Sequence, residues 1–237
     1  MGKRIGIIGA MDEEISSLLG LMDDVRSHTH YRMTYYEGLL EGTPVVLCKS
    51  GVGKVNAALC TQILIDQFQV EAIVFTGVAG ALDPKLDIGD IVVSTECQEH
   101  DVDASALGFP KGTIPFQEVS VFPADSKWVD WAVKAGESLK GVQVVRGKIL
   151  SGDQFVSDPE KVKELRETLE GTCVEMEGAA VAHVACLAGV PYVVIRSMSD
   201  RADHSAKVNF AEFTQLASGR SSEIVCRMLA LRKQNNP

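Results

Sequence analysis

The sequence predicts an α/β fold, a largely parallel sheet held between helices, on three observations. Short runs rich in Val and Ile alternate with stretches of helical periodicity along the 237 residues. Those runs are almost continuously apolar, as expected of strands covered on both faces. Three acidic clusters follow directly on such runs: Asp12-Glu13-Glu14 after RIGIIGAM, Glu175-Met176-Glu177 after TCV, and Ser199-Asp200 after YVVIRSM. Strand ends open into the ligand crevice of a parallel sheet, so these carboxylates are expected at one mouth, equipped for acid/base chemistry.

Taken in order, residues 4–10 read as the first strand, and Asp12, Glu13 and Glu14 begin a helix. Carboxylates there are favourable by ~0.3–1 kcal/mol whatever else they do. Residues 31–39 are more polar and read as an outer strand, with His28 and His30 on a solvated edge before it. Residues 44–49 form the next strand, and the helix over 54–67 carries Val55, Ala58, Leu59 and Ile63 at helical spacing. Strands at 72–76, 91–96 and 142–150 come next, then a helix over 159–169 opened by Pro159. The strand 173–175 leads into an Ala-rich helix over 177–188, closed by Gly189-Val190-Pro191. A strand at 192–198 and a helix over 211–231 complete the pattern, with a polar tail from 232. Residues 100–124 form the one long irregular stretch, with three prolines and two glycines; such loops serve a site or contact a partner. No repeat or linker interrupts the chain, so residues 1–237 are expected to form a single domain.

Composition excludes several classes. A net charge of −9 with no basic stripe argues against a nucleic-acid surface. No apolar run approaches the roughly 20 residues that span a bilayer. The N-terminus enters a strand without a basic-then-apolar leader pattern, so a cytoplasmic location is expected. The six cysteines form no C-x-x-C pair and no zinc spacing with histidine, and read as buried, reduced thiols. His100-Asp101-x-Asp103 lacks a fourth ligand, so neither a metal nor a cofactor is expected.

Two glycine motifs sit between strand and helix or at a strand end. Ser50-Gly51-Val52-Gly53-Lys54-Val55 is not a Walker loop, since Val55 stands where Ser or Thr must hold magnesium. Nor is it a dinucleotide fingerprint, whose third glycine is replaced by Asn56. Thr76-Gly77-Val78-Ala79-Gly80-Ala81 offers small residues for a close backbone approach, to a packed neighbour or to a planar ligand.

The ordered set GIIGAMDEE, SGVGKVNAA, FTGVAGAL, GDIVVS, SGDQFV, VEMEGAAVAHV and VIRSMSDRAD resembles the 5′-methylthioadenosine/S-adenosylhomocysteine nucleosidases, within the nucleoside phosphorylase/hydrolase superfamily. The resemblance runs from about residue 4 to 213 with every motif in family order. It implies a three-layer α/β/α fold with a central mixed, barrel-like sheet, and a homodimer. It implies hydrolysis of an N-glycosidic bond, releasing adenine and a 5-substituted ribose, in methionine salvage.

The resemblance also implies residue roles. Asp200 matches the general acid that reaches adenine N7, oriented by Ser199, and Glu14 matches the base that activates water on the opposite ribose face. Glu177 matches the carboxylate that receives the ribose hydroxyls, with Met176 against the sugar. Two residues apart, Glu175 and Glu177 cannot share a helix face; Glu175 is expected to be buried or capping. Phe155 matches the residue that stacks on adenine and Val156 the one whose backbone meets the polar edge of the base. Met11, Val52, Gly80 and Phe210 match further lining positions. Two positions depart from the family pattern. Val78 stands where many relatives have serine. Leu107 stands where many place a phenylalanine that reaches the neighbouring subunit's pocket from the 100–124 loop.

Three rival readings remain beside this one. A phosphorylase would need arginine near the glycine turns, where the local sequence holds Asp12-Glu13-Glu14 and Val78. A nucleosidase for aminodeoxyfutalosine, a menaquinone precursor, is favoured by the smaller Leu107. A non-catalytic nucleoside-binding protein on the same fold would be marked by loss of Glu14 or Asp200, and both are present.

Overall fold

The computed structural model describes residues 4–202 and 206–235. Among them the chain runs β1 (Ile5–Gly9), α1 (Asp12–Leu21), β2 (Asp23–His30), β3 (Met33–Leu40), β4 (Thr43–Lys49) and α2 (Lys54–Asp66). It continues with β5 (Ala72–Ala81), β6 (Ile91–Glu99), β7 (Val121–Pro123), α3 (Ser126–Gly136), β8 (Val144–Ser151) and α4 (Pro159–Leu169). It ends with β9 (Cys173–Glu175), α5 (Gly178–Ala188), β10 (Tyr192–Asp200) and α6 (Ala206–Asn235).

Five strands close on themselves. β5 pairs with β10, β10 with β6, β6 with β8, β8 with β9, and β9 returns to β5. From β5 the sheet also extends outward through β1, β4, β3 and β2. The sheet is thus mixed and barrel-like, as the family resemblance implies. The largely parallel sheet expected from alternation alone is corrected, because β10–β6, β5–β9, β6–β7, β2–β3 and β3–β4 are antiparallel. The last two pairs are hairpins whose two-residue turns, Tyr31-Arg32 and Glu41-Gly42, all have positive φ. Turns of that kind match the strand twist and return the chain directly, without a crossover helix.

The continuous apolar strands feed two layers at once through their period of two. Ile73 and Phe75 of β5 face the cluster capped by α2 and α5, which contribute Cys60, Leu64, Ala179 and Ala182. Ala72 and Val74 face the opposite cluster, under Leu18 of α1, Trp128 and Ala132 of α3, and Met228 of α6. A third, smaller cluster under α4 joins Leu82, Leu150, Leu165, Val174 and Ala202.

Several expectations are corrected. α3 was absent from the sequence reading, although Asp125 caps it by accepting from the Lys127 and Trp128 N–H groups and Trp128, Val129, Ala132 and Ala135 fall on one buried stripe. β2 is a full edge strand, and the 100–124 segment contains a 3-10 turn (Ser105–Leu107) and leads into β7. The expected polar tail is helical as far as Asn235, held by Arg232, which pairs with Glu71 and lies 5.5 Å over the Trp128 ring; residues 236–237 lie outside the described residues. Four cysteines are buried as expected, but Cys186 is exposed on the outer face of α5 and Cys226 is half-buried. No helix among the described residues is long and apolar enough to cross a membrane.

The site is positioned by an interruption in β5. One edge of this strand pairs with β10 from Ile73 to Gly80. On the other edge β1 stops at Phe75 and β9 begins at Gly80. The strand edge between them, Thr76 to Ala79, is left to side chains, and the main cavity opens there.

Candidate active site

A cavity of about 300 Å³ is walled by Ala10, Met11, Glu14, Val52, Val78, Ala79 and Gly80 on one side. Gln154, Phe155, Val156, Val174, Glu175, Met176, Glu177, Ser199, Asp200 and Phe210 complete the wall. All three acidic clusters recognised in the sequence therefore meet in one place. Of the expected site residues only Leu107 lies elsewhere. It sits on the 3-10 turn, 70% exposed, away from the cavity of its own chain.

Glu14 is buried at the unpaired edge of β5. Its Oε2 accepts from the Ala10 and Met11 N–H groups at 2.6 and 3.0 Å, and its Oε1 from the Val78 N–H at 3.0 Å. The helix start supplies two of these donors and the gap in β5 the third, so the carboxylate is fixed from both sides. Burial raises its pKa, against the pull of Arg196 and the three N–H groups.

Arg196 is the residue that the sequence reading missed. It stands mid-strand in β10 and is 1% exposed, with its guanidinium 3.9 Å above the Phe75 ring. It donates to Glu175 Oε2 and contributes favourable charge to Glu14 and Glu177. A methyl group at Gly77 would collide with both Arg196 and the Glu14 carboxylate, so only glycine at this position leaves room for the pair. The signal was present in the sequence: an arginine inside the otherwise apolar run YVVIRSM is costly to bury without acidic partners. This placement also corrects the view that no arginine lies near the TGVAG segment. The guanidinium does reach Gly77, but three carboxylates surround it.

Glu175 takes the structural position expected of it. Its two oxygens accept from the Gly178 N–H at 2.9 Å each and from the Glu177 N–H at 3.2–3.3 Å, capping α5, and Ser151 also donates to it. Glu177 points to the cavity instead, where its Oε1 accepts from the Gly53 N–H at 2.8 Å. Burial first, then the Glu175 charge, pushes its pKa up to about 8.

Asp200 is set by a bulge in β10. Met198 pairs with Ala79 and Asp200 with Gly80, which leaves Ser199 as the extra residue. The Ser199 hydroxyl donates to Asp200 Oδ2 at 2.8 Å, and the Ala202 N–H to Oδ1 at 2.7 Å. Asp200 is therefore both a turn residue and a wall of the cavity. A Cβ at Gly80 would lie 2.8 Å from Asp200 Oδ1. Glu14 and Asp200 are thus seated against glycines three residues, or ~10 Å, apart along β5. At the mouth Phe155, 49% exposed, meets Phe210 edge-on with centroids 5.6 Å apart. Among the described residues no group of three or more His, Cys, Asp or Glu side chains is placed to hold a metal ion.

A model of the phosphorylase superfamily matches residues 4–230. The chain is 43% identical over 223 residues to a 5′-methylthioadenosine/S-adenosylhomocysteine nucleosidase of Halalkalibacterium halodurans, covering 94% of this chain and 96% of that protein. A solved structure of such a nucleosidase from Neisseria meningitidis, in complex with methylthio-immucillin-A, is similar with a TM-score of 0.93 at 38% identity. That match covers 97% of this chain and 100% of the other. A futalosine hydrolase of Helicobacter pylori is similar with a TM-score of 0.91 at 34% identity, covering 96% of this chain and 97% of that one.

Replacing Arg196 by Met leaves buried carboxylates without their counter-charge, and is expected to cost about 3–5 kcal/mol. Urea unfolding checks this, and an unchanged midpoint would mean that the guanidinium does not hold the site together. The shift at Glu177 gives a second test. Its ordinary value is 4.5 and its native value about 8, so between those pH values the native state holds a proton that the unfolded chain has released. Stability therefore falls as pH rises through that window. Glu177→Gln is expected to flatten this slope in urea midpoints measured across the window; an unaltered slope would place the proton on another group.

Proposed function

Because the chain belongs to the phosphorylase superfamily, as one of its 5′-methylthioadenosine/S-adenosylhomocysteine nucleosidases, we infer that its cavity hydrolyses the N-glycosidic bond of these adenine nucleosides. The products are adenine and the 5-substituted ribose. The observation that carries the reading is a pair of carboxylates, Glu14 and Asp200, seated at the two ends of the unpaired stretch of β5. An apolar-walled cavity of nucleoside dimensions lies beside them.

Cleavage leaves positive charge on the ribose and negative charge on adenine. Asp200 delivers a proton to adenine N7, with Ser199 and the Ala202 N–H fixing its orientation. Glu14 takes a proton from water on the opposite face of the sugar. Its three N–H partners hold it in place, and its raised pKa makes it a stronger base than an exposed carboxylate. An acid and a base separated by substrate and water form the inverting arrangement of sugar hydrolases. Glu177 accepts the ribose hydroxyls, whose donation favours its ionised form. Met176 lies along the sugar, Phe155 stacks on adenine, and the Val156 backbone meets the polar edge of the base. Met11, Val52, Val78, Gly80 and Phe210 shape the remaining walls. The Val78 side chain offers no hydroxyl here, but its N–H holds Glu14.

Phosphate is disfavoured as the nucleophile. The nearby guanidinium is already surrounded by Glu175, Glu14 and Glu177, so the pocket repels a dianion and suits neutral water. Two copies of the chain are proposed to pair, with the 100–124 segment beside the neighbour's site. In one copy Val52, Val55, Leu107, Phe116 and Val119 are exposed, an apolar surface that pairing would cover. Leu107 would then face the neighbour's 5′-substituent. Being smaller than phenylalanine, it favours a second reading in which a bulky aminodeoxyfutalosine-type nucleoside is also cleaved. Methionine salvage in the cytoplasm is the setting that suits this reaction.

Purified protein is expected to release adenine from 5′-methylthioadenosine in phosphate-free buffer, with no gain when phosphate is added. Release only with phosphate would make the enzyme a phosphorylase. Asp200→Asn is expected to lower kcat by ~10²–10⁴ with an unchanged circular dichroism spectrum; full turnover would remove Asp200 from the acid role.

A further inference from the structure

The Gly-Lys pair of the SGVGK turn binds no nucleotide phosphate in this reading, yet Lys54 is tightly engaged. Its ammonium lies 2.6 Å from Asp101 Oδ1 and 3.4 Å from Glu99 Oε2. Its backbone N–H donates to Asp153 Oδ1 at 2.8 Å. The Asp153 N–H in turn donates to Asp101 Oδ2 at 2.9 Å. Three segments distant in sequence are thereby closed into one ring: the start of α2, the residue pair after β6, and the turn after β8. Lys54, Glu99 and Asp101 side chains are only 14–19% exposed, so these contacts are shielded from competing water.

Each joint of the ring adjoins a wall of the cavity. Gly53, one residue before Lys54, supplies the N–H that binds Glu177. It has a φ of +97°, and a Cβ there would lie 3.1 Å from Asp153 Oδ1. Gln154, Phe155 and Val156 follow Asp153 directly and line the adenine end. Asp101 opens the 100–124 segment.

We propose that Lys54 is a positioning residue for the nucleosidase reaction: through Asp101 and Asp153 it holds the Gly53 N–H on Glu177 and the 154–156 segment in register with the substrate. Lys54 touches no reacting atom. It acts by fixing two groups that do, and the inference rests on the hydrolase reading above.

The test is Lys54→Met, which keeps the aliphatic stem and removes the charge. Loss of the clamp is expected to raise KM for 5′-methylthioadenosine, and Kd for adenine, by about tenfold while kcat stays within about threefold, the pattern of lost positioning. The pH profile supplies a readout that a purely structural role would not move. Glu177 is faced by Glu175, Glu14, Arg196 and the Gly53 N–H, and the last two favour its charged form. Loosening the Gly53 contact therefore shifts the acidic limb of kcat/KM to higher pH. Lys54→Arg retains the charge and is expected to recover most of the loss. Asp101→Asn, which removes the partner's charge at constant shape, is expected to act in the same direction and serves if Lys54→Met does not fold. A folded Lys54→Met with wild-type KM, adenine affinity and pH limb overturns the proposal, even if its melting temperature falls. Wild-type turnover is measured alongside: a wild type that releases no adenine counts against the hydrolase reading, whereas an active wild type matched by Lys54→Met counts against the clamp.

Discussion

Everything at the centre of this protein is organised around one buried guanidinium. Arg196 lies under the gap in β5, against Phe75, and is the positive charge that Glu14, Glu175 and Glu177 share. A single cation among three carboxylates cannot satisfy them all by ion pairing, and desolvated charge is costly. The remaining stabilisation comes from backbone N–H groups. Glu14 uses the start of α1 and the free edge of β5, Glu175 the start of α5, and Glu177 the turn before α2. Three helix starts and a strand edge therefore converge because the charges require them there.

That arrangement links fold to chemistry. An acid/base pocket needs carboxylates of unequal character, and here the environment separates them. Glu175, fully engaged by Arg196, Ser151 and two N–H groups, is consumed by structure. Glu177 has one N–H partner and a like charge nearby, so its proton is held to about pH 8. Glu14 lies between these extremes, raised by burial and restrained by three donors. The same burial that equips Glu14 and Glu177 for a substrate makes the empty site a cost to stability, as is usual where function competes with packing.

Local sequence carried much of this. The apolar runs named most of the strands, the helix punctuation at Pro159 and at Gly189-Val190-Pro191 was read correctly, and the three acidic clusters pointed to one mouth. The elements that escaped had physical reasons to do so. α3 has an amphipathic pattern and an Asp125 cap, but it sits beside an irregular stretch that drew attention away from its period. β2 is an exposed edge strand with almost no apolar side chains, so its existence depends on pairing with β3 rather than on its own pattern. The antiparallel half of the sheet was hidden because strand direction is set by hairpin turns and by closure of the ring, neither of which leaves a periodic signal.

What the sequence determined by itself is the inventory: an α/β chain, acidic groups at strand ends, small residues beside them, and an ordered set of motifs resembling one family. Those features are local, because strand propensity, helix capping and glycine's freedom are properties of short segments. What only the tertiary structure decided is which groups meet. Arg196 reaches Gly77, the Ser199 bulge turns Asp200 toward Gly80, and Lys54 closes a ring through Asp101 and Asp153. Each of these contacts joins residues far apart in the chain, whose proximity follows from barrel closure and strand register rather than from any pattern within one segment.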